Sequence, residues 1–257
     1  MTTTALIVQY LDDLLDTSSI PDFPSALNGL QLANEGSVKR VAAAVDFSLR
    51  TVTAAADADA NLMIVHHGMF WGGLQPIRGS AFTRLKTLFT HDIAVYSSHL
   101  PLDRHALYGN NALLATELGL EPSGEFARFK TISIGVAGES DVSTADLVAR
   151  ADALARLHGG STRVTAIEPG RRTLSWAICT GAGASAETLS EARERGIDTL
   201  IVGEGSHHTA VDADESGIAV IYAGHYATET LGVRAIAAHV SDRFGVPWTF
   251  IEAPTGL

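Results

Sequence analysis

The sequence contains almost no cysteine, no cluster of basic residues and no long apolar run. Cys179 is the only cysteine among 257 residues, so no intrachain disulfide can form. It lies in an apolar stretch, and we expect it to be a small core residue. No apolar run approaches the ~18–20 residues of a membrane span. The N-terminus also lacks the basic region and cleavage pattern of a secretory signal, which predicts a cytoplasmic protein.

Basic residues are outnumbered by acidic ones, with 18 Lys and Arg against 29 Asp and Glu and a formal net charge of −11. This balance argues against nucleic-acid binding, which depends on neutralising phosphates. The net charge of the whole chain does not determine the electrostatic potential inside a cleft, because a bound divalent ion is a large local positive charge. The hydrophobic fraction of 46% and the charged fraction of 18% are those of a globular protein.

Short apolar strands alternate with helical patterns along most of the chain. This alternation predicts an α/β fold with substantially parallel strands. The predicted strands are residues 38–46, 62–65, 93–97, 131–136, 163–167, 174–180, 199–202 and 218–222, and the predicted helices are 5–16, 48–58, 83–90, 110–118, 144–157, 186–195 and 228–239. Residues 28–32 are predicted to be a loop that enters a short extended piece. Ser48 and either Ser143 or Thr144 are the expected helix N-caps.

The second half of the chain repeats the order of the first. We therefore expect one domain over residues 1–257, made of two related lobes. One lobe would contain roughly residues 1–125 plus the C-terminal part, and the other residues 126–257. No stretch rich in Pro, Ser or Gly divides them, so we expect the lobes to be intertwined.

Chemically similar residues recur at matching places in the two halves. A Tyr is followed three residues later by a His and four residues after that by an acid, and each such element is preceded by an adjacent His pair. The residues are Tyr96, His99 and Asp103 with His66 and His67, and Tyr222, His225 and Glu229 with His207 and His208. Imidazoles and carboxylates at turns after buried strands are typical metal ligands. The recurrence predicts one metal site shared by both lobes.

His66 and His67 follow a buried strand. Neighbouring side chains on an extended backbone point to opposite sides, so two ions, one bound by each imidazole, suit this pair better than a single shared ion. The alternative is a pair of surface histidines in a loop. The other clusters favour the interpretation as ligands.

His225 and Glu229 lie four residues apart where a helix is predicted to begin. Residues at this spacing share one helix face, so both can reach the same ion; the alternative is an exposed surface pair. Asp103 is the counterpart of Glu229 and can bridge two ions, unless it serves as a helix N-cap or turn acid. His99 can coordinate directly, or it can orient Asp103 from outside the ligand set.

The second His pair fits less well as ligands. His207, His208 and Glu204 suit a place beside the ions, as a proton relay or a substrate contact, although a ligand role stays open. The turn 181–184 has the glycines of a phosphate-binding turn, a pattern that also has purely geometric causes. The aromatic loop 69–73 can form a substrate wall or simply pack.

The proposed ligands leave coordination positions open, which is typical of catalytic metal sites. Two neighbouring ions can activate water and stabilise charge on a phosphoryl or carbonyl oxygen. We therefore expect two divalent metal ions per chain as cofactors. A site with both imidazole and carboxylate ligands suits Zn, Fe, Mn, Co or Ni, so the ligand types do not identify the metal.

Motifs lie at residues 28–31, 66–68, 98–103, 109–111, 203–204 and 224–229. In sequence and in order they resemble those of the NGG-interacting-factor (Nif3-like) family, whose bacterial members are labelled GTP cyclohydrolase 1 type 2 or dinuclear metal centre hexameric protein. Gly68 is a departure, because many members have proline there.

The resemblance implies a Nif3-like fold, with two related α/β lobes around a shared dinuclear metal cleft and a homo-hexameric assembly. Some members of the family have an inserted domain in the middle of the chain, and we expect no inserted extra domain here. It implies His66, His67, Asp103, His225 and Glu229 as metal ligands, with His99, His207 and His208 outside the ligand set. We expect a metal-dependent hydrolase that acts on a small-molecule substrate, either a nucleotide, a phosphoester or a cyclic amide. The alternative is a non-enzymatic metal-binding scaffold that recruits partners.

Overall fold

The computed structural model describes residues 2–165 and 167–257, and the chain divides into two units. Unit 1 comprises Met1–Leu102 and Gly232–Ala253, and unit 2 comprises Asp103–Leu231 and Pro254–Leu257. Each unit contains its own sheet and its own buried core.

The elements are numbered in chain order. The strands are β1 (Gly29–Leu32), β2 (Val41–Asp46), β3 (Leu62–His67), β4 (Ala94–Ser97), β5 (Gly124–Phe129), β6 (Ile132–Ser143), β7 (Arg163–Val164), β8 (Arg172–Cys179), β9 (Thr199–Val202), β10 (Ala219–Tyr222) and β11 (Trp248–Phe250). The helices are α1 (Thr4–Leu14), α2 (Leu49–Asp57), α3 (Ser80–Thr90), α4 (Leu100–Asp103), α5 (Asn110–Glu117), α6 (Thr144–Leu157), α7 (Ala186–Glu194), α8 (His207–Glu215) and α9 (His225–Phe244).

The sheet of unit 1 has the strand order β1-β4-β3-β2-β11. Strands β2, β3, β4 and β11 run parallel, and β1 is antiparallel to β4. The register pairs Asp46 with His67 and Val65 with Ser97. Because parallel strands end at the same edge of a sheet, the residues that close β2, β3 and β4 meet there.

The sheet of unit 2 has the order β5-β6-β8-β9-β10-β7. Strands β8, β9 and β10 run parallel, like β2, β3 and β4 in unit 1. Alternate residues of β8 enter different cores: Ala177 and Cys179 pack with Leu189 of α7, while Trp176 and Ile178 pack with residues of α5 and α6. The inner part of β8 is therefore buried on both faces, as is usual for a strand with parallel neighbours.

The α/β class is confirmed, as are most of the predicted helices and strands. Helix α6 and strand β9 have the predicted bounds, and Ser48 and Ser143 cap α2 and α6 through their side chains. The strand predicted over 163–167 is observed only at Arg163–Val164; Ala166 lies outside the described residues.

Four elements were absent from the sequence prediction, namely α4, β5, α8 and β11. The boundary at the first His pair was also wrong, because β3 continues through His67 instead of ending at Val65. His207 and His208 were expected at a turn after a buried strand, but they are the first two residues of α8. In the described part of the chain, no helix combines the length and apolar character needed to cross a membrane.

Candidate metal centre

Three buried histidines of unit 1 lie side by side at the end of its sheet. His66 and His67 close β3, and His99 follows β4. The ring centroids are 4.8 Å apart for His66 and His67 and 4.9 Å apart for His66 and His99. One ligand atom from each residue lies within 4.8 Å of the other two. This cluster can hold a metal ion.

The Nδ1 atom of each of these histidines has a hydrogen-bond acceptor at 2.9 Å. The acceptors are the Ser98 carbonyl for His66, Asp46 Oδ1 for His67 and Asp22 Oδ1 for His99. A carbonyl or carboxylate oxygen only accepts, so Nδ1 donates. In a neutral ring the remaining lone pair is then on Nε2, and such support at Nδ1 is typical of metal-binding histidines.

Asp22 and Asn28 fix the position of His99. Asn28 Oδ1 accepts from the His99 amide at 2.8 Å, and Asn28 Nδ2 donates to Asp22 at 2.8 Å. Burial raises the pKa of Asp22, but the hydrogen bonds and charge of His99, together with the Asn28 and Leu100 donors, outweigh it and hold that pKa below its ordinary value. Asp22 is therefore ionised at neutral pH.

Trp71 covers one side of the unit 1 histidines. Its ring stacks on His67 with centroids 5.4 Å apart, and it meets His99 edge-on at 4.7 Å. Gln31 holds the start of the same loop, because its Oε1 accepts from the Met69 amide at 2.6 Å. A Cβ at Gly68 would collide with the Gln31 amide, so glycine at this position matches the observed place of Gln31.

His225 and Glu229 form a second ligand pair at the start of α9 in unit 2. His225 Nε2 lies 3.1 Å from Glu229 Oε2, and Glu204 Oε1 lies 2.8 Å from His225 Nδ1. Burial lowers the pKa of His225, but the hydrogen bonds and charges of Glu229 and Glu204 outweigh it and raise that pKa to about 9. Without a metal, the imidazole carries a proton at neutral pH that a bound cation would replace.

The turn after β8 positions the ligand pair of unit 2. Gly181 has a φ of +62°, and a Cβ there would collide with Glu229 Oε1. The Gly181 amide donates to Thr228 Oγ1 at 3.1 Å. The residue before it, Thr180, lies 3.5 Å from Asp103 Oδ1 through its hydroxyl. The turn 180–181 therefore contacts both Asp103 and the pair on α9.

Asp103 ends α4 and is held by two asparagines. Asn110 Nδ2 donates to Asp103 Oδ1 at 2.8 Å, and Asn111 Nδ2 donates to the Asp103 carbonyl at 3.1 Å.

Burial, followed by the charges of Asp103 and Glu229, raises the pKa of Cys179 to about 12. The thiol is therefore protonated, as expected of a core cysteine.

The remaining predicted residues have separate places in unit 2. Glu204 contacts His225 directly, and His207 lines a cleft together with Glu204. His208 is exposed, and its ring lies 3.1 Å from the Ser206 hydroxyl. The glycine turn leads into α7, whose N-terminus is occupied by the Ser185–Thr188 capping box rather than open to a phosphate.

Two residues that support the histidines of the site, Asp46 and Asp22, were not predicted from the sequence. Asp46 lies at the end of β2, and its pairing with His67 in the β2–β3 register is the signal that would have found it. Asp22 lies between Pro21 and Pro24 in an irregular segment. It approaches His99 only through the tertiary fold, so no local pattern marks it.

A family model described as Duf34/NIF3 (NGG1p interacting factor 3) matches residues 2–255. The chain belongs to this family. Among curated relatives of the NIF3 chain, a Deinococcus radiodurans protein is 40% identical, with 98% of this chain and 93% of the relative covered. One from Pyrococcus abyssi is 42% identical, with 98% of both chains covered. Both are named GTP cyclohydrolase 1 type 2 homolog.

Solved structures share the fold of this NIF3 chain. A protein titled ybgI, of unknown function, has a TM-score of 0.88 and 35% identity, with 100% of both chains covered. The protein TTHA1606 from Thermus thermophilus has a TM-score of 0.85 and 36% identity, also with 100% of both chains covered. These similarities show the two-lobe Nif3-like fold that the sequence motifs implied.

Proposed function

We propose that this NIF3-family protein is a metal-dependent hydrolase with two divalent ions per chain, held by His66, His67, Asp103, His225 and Glu229. The donor chemistry fits such ions, because imidazole and carboxylate together suit Zn, Fe, Mn, Co or Ni. Ions bound at these residues would activate water and polarise a phosphoryl or carbonyl oxygen.

The observation that carries the proposal is the support given to the histidines. His66, His67 and His225 each have an oxygen acceptor at 2.8–2.9 Å from Nδ1, and a carboxylate provides it for two of them. An imidazole oriented in this way presents Nε2 in a fixed direction. Such support is found in metal sites, where loss of the supporting group weakens metal binding by about 10–100-fold.

Glu204 acts in this proposal through His225. It orients the ring and stabilises the imidazolium of the metal-free state. Of the two candidates for a proton relay, His207 shares a cleft with Glu204, whereas the ring of His208 lies against Ser206. We therefore propose His207 as the first candidate for the proton relay and His208 as the second. His99 keeps its assignment as a support for the site, although its place in the unit 1 cluster would also allow it to bind an ion.

The substrate class we propose is a small molecule with a hydrolysable phosphoester, cyclic amide or nucleotide base. The relatives' name, GTP cyclohydrolase 1 type 2 homolog, supports this class. We also propose a homo-hexamer, as the family resemblance implies. Light scattering of purified protein should then give about six times the chain mass of 27.1 kDa.

Metal analysis combined with a substrate panel tests the proposed activity. Replete wild-type protein should hold two ions per chain and hydrolyse at least one nucleotide, phosphoester or cyclic amide, and a chelator should abolish that activity. Glu229→Gln removes a ligand oxygen with little change of shape and should lower both metal content and rate. The exposed Glu215 provides the matched control, and Glu215→Gln should leave both unchanged.

Two results would contradict the proposal. The dinuclear assignment fails if replete protein holds well below two ions per chain. The catalytic assignment fails if Glu229→Gln loses metal while every hydrolytic activity persists, which would leave a metal-binding scaffold as the better interpretation.

A further inference from the structure

We propose that a cleft within unit 2 binds a small molecule through a phosphate group. The cleft has a volume of about 420 Å³, within the range of small-molecule sites. Its lining includes Ser161, Arg163, Glu204, Ser206, His207 and Tyr222. We call it the Arg163 cleft.

Arg163 provides the positive charge of the cleft. It lies on β7, where the register with β10 places it opposite Tyr222, another lining residue. Other arginines of unit 2 have partners, as Arg128 has Glu194 and Arg156 has Asp152. The Arg163 side chain has no hydrogen bond or ion pair with any residue in the described ranges 2–165 and 167–257. An unpaired guanidinium can donate two parallel hydrogen bonds to a phosphate.

His207 and Ser161 add hydrogen-bond donors beside Arg163. Within the described chain, the His207 ring and the Ser161 hydroxyl have no hydrogen-bond partner, and both line the cleft. Ser206 directs its hydroxyl to the His208 ring rather than to the amides of α8. The first amides of α8 are therefore not capped by this side chain, and they add donors near His207.

Glu204 contributes a carboxylate to the lining of the cleft, and its negative charge restricts which ligands can bind. Its Oε1 accepts from His225 Nδ1 at 2.8 Å, so part of its charge is offset. A ligand that was anionic throughout would be repelled by this carboxylate. A phosphate ester that also carries hydroxyl or amino donors satisfies both groups, with its phosphate at Arg163 and a donor for Glu204. Sugar phosphates and nucleotides have this chemistry.

Binding of ribose 5-phosphate, ribose and inorganic phosphate tests the proposal. Calorimetry is performed on the full chain, both metal-loaded and after chelation, so that phosphate bound to metal is distinguished from phosphate bound to Arg163. We expect ribose 5-phosphate to bind the chelated protein, and Arg163→Gln to weaken this binding about tenfold, as expected for a lost charged hydrogen bond. His207→Gln should weaken it about threefold, because it alters one hydrogen-bond donor and leaves the Arg163 guanidinium in place.

Arg193→Gln is the matched control, since it removes the same charge from an arginine of unit 2 whose guanidinium contacts Ser216 instead of the cleft. The proposal is overturned if Arg163→Gln binds like wild type or if Arg193→Gln loses as much affinity. It is also overturned if ribose 5-phosphate binds only the metal-loaded protein. Binding to the chelated protein does not depend on hydrolysis, so failure here leaves the proposed function to its own test.

Discussion

Gly181 is the residue at which backbone geometry and the proposed metal site are most directly connected. Its φ of +62° disfavours any side chain, and a Cβ would also meet Glu229 Oε1 and approach His225 Nε2 to 3.4 Å. Gly181→Ala should therefore displace both ligands of α9. We expect this variant to lose most of its metal and about 2 kcal/mol or more of stability, measured by metal analysis and urea unfolding.

Gly196 separates the two effects of that substitution. It has a φ of +66°, but nothing lies within 4 Å of the position a Cβ would take. Gly196→Ala should cost about 1 kcal/mol through backbone strain alone and should keep its full metal content. Equal metal content in the two alanine variants would show that Gly181 does not shape the site.

Asp22 gives the stability of the protein a defined pH dependence. Its pKa lies below the ordinary 3.8 in the folded state, so ionised Asp22 stabilises the fold above pH 3.8, and this contribution is lost as the pH falls through the folded-state pKa. Asp22→Asn should cost about 2 kcal/mol at neutral pH. The difference from wild type should shrink as the pH is lowered below 3.8.

Urea unfolding over a range of pH measures that difference. Asp57→Asn, at an exposed position of α2 in the same unit, is the control and should cost little at any pH. A cost for Asp22→Asn that is the same at neutral and at acidic pH would mean that the ionised carboxylate is not what stabilises His99.

At the scale of elements, the two units use the same device to start a helix after a parallel strand. A capping box joins Ser48 to Thr51 at α2, and another joins Ser185 to Thr188 at α7. We expect Ser48→Ala and Ser185→Ala each to lower the free energy of unfolding by about 1 kcal/mol. Ser190→Ala, inside α7, should change it by less than half as much. A cost at only one of the two caps would argue against equivalent roles.

These elements also show how far the sequence could be interpreted. Continuous apolar strands and capped helices are local signals, so β9, α6 and the cap at Ser48 were predictable. Helix α8 was missed because its polar sequence, from His207 to Glu215, has only two buried residues, Thr209 and Ala213. Strand β11 is only three residues long and half-buried, so it gives no clear alternation.

The parts of the candidate site that are formed by residues close together in the sequence were predictable. The spacing of His225 and Glu229 predicted that both lie on one helix face, and their side chains are 3.1 Å apart. Asp22 lies 77 positions from His99, so their hydrogen bond follows from the tertiary fold and from no local pattern. Supporting residues of this kind become visible only when the fold is known.

At the scale of the whole molecule, metal binding should be coupled to stability. The chain has a net charge of −11, and the proposed ligands Asp103 and Glu229 are buried carboxylates. Divalent ions offset this negative charge, and a ligand present at roughly 100–1,000 times its dissociation constant adds about 3–4 kcal/mol to the free energy of unfolding. For a chain of this size, we expect a chelator to lower the melting temperature by about 10 °C.

Calorimetric melting of loaded and chelated protein measures this coupling. Glu229→Gln should melt at a temperature that responds less to the chelator, because its metal content is already lowered, whereas Glu215→Gln should respond like wild type. A wild-type melting temperature that is the same with and without chelator would contradict the coupling. Because the folded chain alone presents the oriented histidines, restoring the metal should restore the original melting temperature, and the metals that do so identify the ions the site accepts.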